Sequence, residues 1–212
     1  MIDYLRDPGE IYRRSFAAIR AETDLSRLPD ELAPLALRIV HACGMPDVVA
    51  DLKWSDGAPG AGRAALARGA PVLCDATMVA QGIVRRRLPA QNAVLCWVGS
   101  DEVASRANVE RTTLSAAAVV DWRQHLAGAV VAIGNAPTAL FRLLEELDAG
   151  AAKPALILGF PVGFVGAAEA KSELARASRG VPFITLLGRR GGSAIAAAAV
   201  NALAGDAAED MS

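Results

Sequence analysis

Five short runs, each apolar at nearly every position, confine this chain to one class of fold. They are Ala70–Cys74, Ala93–Val98, Ala129–Ile133, Ala155–Leu158 and Val181–Leu187, each bounded by Gly, Pro, Asn or Asp. A strand with one wet face alternates apolar and polar side chains, whereas these runs are apolar on both parities. That is how parallel strands covered on both faces read. The segments between them carry helical spacing instead. Leu140, Leu143, Leu144 and Leu147 fall at i, i+3, i+4 and i+7, with Asn135 as an expected N-cap and Pro137 in the first turn. Ser193 is expected to cap the Ala-rich stretch that runs to Leu203. Strand and helix in alternation predict a doubly wound α/β sheet.

Ligands of such sheets bind beyond the carboxyl ends of the strands. Three strand-to-helix junctions are rich in small residues there: Gly134–Thr138, Gly159–Gly166 and Gly188–Ser193. Small residues let backbone approach a ligand, and helix N-termini favour anions. None of the three is a GxGxxG, and none ends in the Lys-Ser/Thr of a P-loop, so a nucleotide fingerprint is absent. Each turn alone reads equally as a plain tight turn; three on one edge favour a large anionic ligand.

Charge and cysteine content narrow the classes further. The formal net charge is −1, with 22 Lys plus Arg against 23 Asp plus Glu, which lacks the basic surplus of a sequence-independent nucleic-acid binder. Cys43, Cys74 and Cys96 form no CxxC, and an odd number cannot all pair internally. With no signal peptide recognisable at the N-terminus, they are expected to be reduced thiols of a cytoplasmic protein. The longest charge-free apolar stretch, Pro154–Ala168, is interrupted by Gly159, Pro161, Gly163 and Gly166, too short and broken for a membrane span. One domain over residues 1–205, followed by a disordered tail at 206–212, is expected.

Two helices are expected before the sheet, and the candidate chemistry lies on them. The second, about Asp30 to Cys43, ends at Gly44 and buries the stripe Leu32, Leu35, Ala36, Ile39, Val40 and Cys43. At about 100° per residue, His41 falls opposite that stripe, in the last turn. A core histidine would face the sheet; this one is an acid, a cation for an anionic substrate, or an ordinary surface residue. A helix C-terminus favours the imidazolium. The first helix, about Pro8 to Arg20, sets Tyr12 and Ser15 three apart on one face, to fix a polar ligand or simply to be half-buried. His125, the other histidine, has no motif around it and reads as structural. No metal-spaced Cys/His set or HExxH occurs, so a catalytic metal is not expected, and no GxSxG elbow is present.

Several runs are familiar. Ile11–Phe16 (IYRRSF), Ile39–Met45 (IVHACGM), Cys74–Val79 (CDATMV), Gly134–Phe141 (GNAPTALF), Pro161–Glu169 (PVGFVGAAE) and Gly191–Ile195 (GGSAI) resemble the precorrin-8X methylmutase family. The likeness is collinear over about residues 4–204. It implies a flavodoxin-like three-layer α/β/α sandwich, with a mainly parallel five-stranded sheet and N-terminal helices. It further implies a cofactor-free homodimeric isomerase of cobalamin biosynthesis, which moves a methyl group from C11 to C12 of precorrin-8X to give hydrogenobyrinic acid. The family's catalytic histidine falls on His41, which the helical wheel singles out independently. Its substrate-contacting tyrosine and serine fall on Tyr12 and Ser15. Pairing of the substrate's carboxylates is expected from glycine-lined helix N-termini and arginine, hence from Asn135, Gly163, Gly191, Ser193 and Arg85.

The chain departs from the family pattern at two places. Gly82-Ile83-Val84-Arg85 stands where the family has G-I-T-R, and Thr113-Leu114-Ser115 where it has T-R-S. An arginine lost opposite a carboxylate weakens binding, and Arg111 or the Arg85–Arg87 run is the available substitute. These departures leave one alternative, a non-catalytic tetrapyrrole-binding relative that sequesters or hands on the product. A generic flavodoxin-like flavin binder, the other alternative, lacks the phosphate fingerprint.

Overall fold

A computed structural model describes residue 2 and residues 4–205; the tail expected at 206–212 lies outside the described residues. Its strands are β1 (Leu52–Trp54), β2 (Val72–Cys74), β3 (Val94–Leu95), β4 (Val130–Ile133), β5 (Leu156–Gly159) and β6 (Phe183–Leu186). They form one sheet in the order β1-β6-β5-β4-β2-β3. All five apolar runs become parallel strands. Among themselves they take the flavodoxin-like order, second-first-third-fourth-fifth.

The expected count of five is corrected to six. Leu52–Trp54 adds an antiparallel edge, pairing Leu52 with Leu186 and Trp54 with Ile184. Its pattern of one buried residue, an exposed Lys53 and a half-buried Trp54 is that of a short charged edge strand, which leaves no apolar run to find.

The helices are α1 (Pro8–Glu22), α2 (Ala33–Cys43), α3 (Ala58–Ala67), α4 (Thr77–Gly82), α5 (Asp101–Glu110), α6 (Leu114–Trp122), α7 (Pro137–Asp148), α8 (Ala167–Arg176) and α9 (Ser193–Ala204), with short 3-10 turns at Pro46–Asp51 and Arg85–Arg87. Alternate strand residues enter two separate cores. Val72, Cys74, Val130, Ala132, Leu156, Leu158, Ile184 and Leu186 pack with α2, α3, α4 and α9. Leu73, Val131, Ile133, Ile157 and Phe183 pack with α6, α7 and α8. That split is the three-layer sandwich, and it explains why the runs are apolar on both parities.

Helix α2 begins at Ala33 rather than Asp30, because Pro29–Leu32 close a separate turn through the Leu32 N–H to the Pro29 carbonyl. Its end is as expected: Gly44 takes the left-handed conformation at φ 68° and returns its N–H to Val40. Two expected caps are corrected. The N-cap of α7 is Ala136, not Asn135, and that of α9 is Gly192, with Ser193 as the first helical residue; neither helix has a side-chain cap from its own N-cap residue. For α7 the cap comes from elsewhere in the fold. The buried Asp75 carboxylate, just past β2, accepts the N–H groups of Gly134, Asn135 and Ala136 at 2.8, 2.9 and 2.7 Å. The α7 N-terminus thus meets a carboxylate of the protein's own, at the point where the strand order reverses.

Candidate functional site

Helix α1 lies over the outer side of α2, and their crossing assembles the first group of residues. His41 is exposed in the single chain, opposite the buried stripe. Its Nδ1 lies 3.1 Å from the Ser15 hydroxyl. Its ring stacks on Phe16, with centroids 4.9 Å apart and planes at 25°. Tyr12 packs on Phe16 at 4.5 Å, and its hydroxyl accepts a 2.9 Å bond from Arg38 Nη2. Spacing explains the assembly: residues 12, 15 and 16 share one face of α1, while 38 and 41 share one face of α2. One imidazole nitrogen is held by serine and the ring plane by phenylalanine, leaving Nε2 to exchange a proton with a ligand.

The electrostatics differ from the expectation drawn from the helix end. Burial against α1, and then the Arg38 charge, lower the His41 pKa below its ordinary 6.5. Arg38 is itself buried, at 9% exposure, and its charge is felt by Arg87 from the Arg85–Arg87 turn. This corner is electropositive, which suits a polyanionic ligand and holds the free histidine neutral near pH 7.

The second group is the carboxyl edge of the sheet, where the three glycine-rich turns touch one another. A Cβ on Gly134 would lie 2.8 Å from the Ser193 Cα, one on Gly166 3.4 Å from the Pro137 Cβ, and one on Gly191 2.7 Å from the Pro161 carbonyl oxygen. Glycine is required at Gly134 and Gly191 by these close approaches, and at Gly166 by its φ of 78°. Gly163 donates its N–H to the Arg189 carbonyl at 3.2 Å, and Gly192 to the Phe160 carbonyl at 2.8 Å. Asn135 is exposed at this edge; since its N–H is given to Asp75, only its side chain is left to reach a ligand. Arg85, also exposed, is close enough to β2 for its charge to act on the Cys74 thiol, which burial pushes far up.

The structure therefore brings Tyr12 and Ser15 directly to His41. Asn135, Gly163, Gly191 and Ser193 share the glycine edge. The two groups are joined through the packing of α2 on α9 and through Arg190, which pairs with Asp47 at 2.5 Å and Asp51 at 2.6 Å just beyond the end of α2. Sequence reasoning missed Phe16, Arg38 and Asp75. The first two were signalled only by the i, i+4 pair with Tyr12 and the i, i+3 pair with His41. Of the departures from the family pattern, Val84 donates its backbone N–H to Asn201 Oδ1 at 2.8 Å, and Leu114 is 44% exposed at the start of α6. His125 stacks on Trp97 at 5.4 Å, away from His41 and its partners. The three cysteines are free thiols. Among the described residues no cluster of three or more His, Cys, Asp or Glu suits a metal ion, and no helix is long and apolar enough to cross a membrane.

Fold and site together define a flavodoxin-like sandwich with a histidine-bearing helix pair and a glycine-lined carboxyl edge. Comparison with known proteins gives the family. The precorrin-8X methylmutase family model matches residues 10–205. A precorrin-8X methylmutase of Pseudomonas aeruginosa is 64% identical over 96% of this chain and 98% of its own length. A cobalt-precorrin-8 methylmutase of Priestia megaterium is 36% identical, over 92% and 87%. The crystal structure of a precorrin-8X methylmutase from Thermus thermophilus superposes with a TM-score of 0.84 at 38% identity, covering 95% of this chain and 97% of that one. The chain belongs to the precorrin-8X methylmutase family and is an isomerase of cobalamin biosynthesis.

Proposed function

We propose that this enzyme takes metal-free precorrin-8X and moves its C11 methyl group to C12, giving hydrogenobyrinic acid, with His41 as the acid. The single observation that supports the acid role is the fixed imidazole, held at Nδ1 by Ser15 and in plane by Phe16 with Nε2 left for substrate. The choice of metal-free substrate follows from the relative named for precorrin-8X, which is far more similar to this chain than the one named for the cobalt form.

Protonation of the macrocycle by His41 Nε2 makes the conjugated ring electron-poor. The C11–methyl bond then breaks as the C12–methyl bond forms, with the bonding pair travelling with the shift, and the proton returns to His41. No atom is gained or lost, so no external oxidant, reductant or co-substrate is consumed. Tyr12 and Ser15 contact the ring substituents. Arg38, Arg85 and Asn135, together with the turns of Gly163, Gly191 and Ser193, pair the acetate and propionate carboxylates. An absorbance time course with purified protein and precorrin-8X tests this reading. Appearance of the hydrogenobyrinic acid spectrum is the expected result; saturable product binding with no turnover would instead mark a binder.

The enzyme acts in the cytoplasm as a homodimer in this reading. Phe164 and Val165, in the middle turn of the edge, are 85% and 89% exposed in the single chain, and Arg189 stacks over Phe164 at 5.3 Å. Apolar side chains projecting that far call for a cover. Phe164→Asp is expected to halve the mass in sedimentation equilibrium while leaving the circular dichroism spectrum intact. A native protein that sediments as a monomer overturns the homodimer.

A further inference from the structure

Lys171 is one of the largest fully buried side chains of the fold, at 0% exposure, and nothing in the proposed chemistry uses it. An interior lysine costs free energy unless it is bonded and its charge is balanced. Here its Nζ donates to the Arg190 carbonyl, inside the Gly188–Ser193 turn, and the nearby Asp51 carboxylate offsets its charge. The Arg190 side chain runs to Asp47 and Asp51. The turn is thus gripped twice at one residue, by a buried ammonium on its backbone and by two carboxylates on its side chain. Lys171 also lies on α8, which leaves directly from the Gly159–Gly166 turn. A single segment supplies one glycine turn and the anchor of the other.

We propose that Lys171 is a positioning residue for substrate binding, holding the Gly188–Ser193 turn against the Gly159–Gly166 turn in the geometry that receives the substrate's carboxylates. This rests on the reading that these turns bind carboxylates. An apolar residue would fill the same volume but would leave the Arg190 carbonyl without its donor. Gly191, whose missing Cβ lets it pack on the Phe160 and Pro161 carbonyls, and Gly192, which donates to Phe160, follow Arg190 directly, so a shift at Arg190 opens the contact between the turns. His41 is held directly by Ser15 and Phe16 of α1, which make no contact with Lys171, so the larger loss falls on binding rather than on chemistry.

The test is steady-state kinetics with precorrin-8X for the native enzyme, Lys171→Met and Arg190→Ala, with titration of hydrogenobyrinic acid in parallel, all below the melting temperature of each variant. Lys171→Met is expected to raise KM and the product Kd about tenfold with kcat within about twofold, the signature of lost uniform binding. Arg190→Ala is expected to move both constants in the same direction by a smaller factor, and the double variant to exceed the larger single effect only slightly, because the residues share one network. A folded Lys171→Met enzyme with KM and Kd within twofold of native overturns the proposal, whatever its loss of melting temperature. Should Lys171→Met not fold, the same criterion is applied to Arg190→Ala, whose side chain lies nearer the surface. A native enzyme without turnover overturns the isomerase reading instead, and the product Kd values still decide the role of Lys171.

Discussion

Replacing His41 with alanine is expected to lower kcat for precorrin-8X by about 10²–10⁴-fold while leaving hydrogenobyrinic acid binding within about threefold. In the free enzyme the imidazole gives up its proton on the acid side of neutrality, because its pKa is lowered below 6.5. The surrounding Tyr12, Ser15, Phe16 and Arg38 are left in place by the change. The pH profile gives a second, sharper readout. An acid works from its protonated form, and burial followed by the Arg38 charge lowers the His41 pKa below 6.5 in the free enzyme. kcat/KM is therefore expected to be highest on the acid side and to fall as pH rises through that lowered value. Bound substrate carboxylates offset Arg38, so the corresponding fall in kcat is expected at higher pH. Arg38→Met, which removes the repelling charge, is expected to move the kcat/KM limb upward towards 6.5. A His41→Ala enzyme retaining more than about a tenth of native kcat would sink the assignment; a kcat/KM limb that Arg38→Met leaves unmoved would show that burial alone sets the shift.

What was legible in the sequence follows from where each signal originates. The five parallel strands were readable because burial on both faces demands apolar residues at both parities, a local demand written into each run. The antiparallel edge at Leu52–Trp54 was not, since an edge strand with one buried residue imposes almost no pattern. The outward placement of His41 was readable from helical geometry alone, because its neighbours on α2 define the packed face. Phe16 and Arg38 were not, because their roles arise only where α1 crosses α2. The direction of the His41 shift was misread because its larger cause, burial against α1, is tertiary; the lesser cause, Arg38 three residues earlier on the same helix, was open to view. The caps repeat the lesson. Asn135 and Ser193 have the right chemistry at nearly the right places, yet α7 is capped by Asp75, sixty positions away in the chain. Val84 gives the opposite case. Its backbone N–H, not its side chain, makes the bond to Asn201, so the family's hydroxyl is dispensable for that contact.

Asp75 carries the largest expected effect on stability. Its carboxylate is fully buried and takes three N–H groups at the start of α7, one on Oδ1 and two on Oδ2. Burial pushes its pKa up and the three donors pull it back, so the group is stable there only while those bonds are made. Asp75→Ala leaves three donors at the start of α7 without an acceptor, one buried and two part-buried. Each such donor costs about 1–3 kcal/mol, and relaxation with entry of water recovers part, giving an expected loss of about 3–5 kcal/mol, or roughly 10 °C in Tm for a chain this size. Asp75→Asn discriminates between shape and charge. An amide keeps one acceptor but turns the other towards an N–H as a donor, so asparagine is expected to recover no more than about half of the loss. Because Asn135 sits on the same three-residue turn, a partly melted α7 start also displaces a residue assigned to the substrate, and KM is expected to rise in both variants. Thermal melts at pH 7 read the stability arm. An Asp75→Asn protein as stable as native would show that the pocket requires volume rather than two acceptor oxygens, and the account of how this switch point is closed would fall with it.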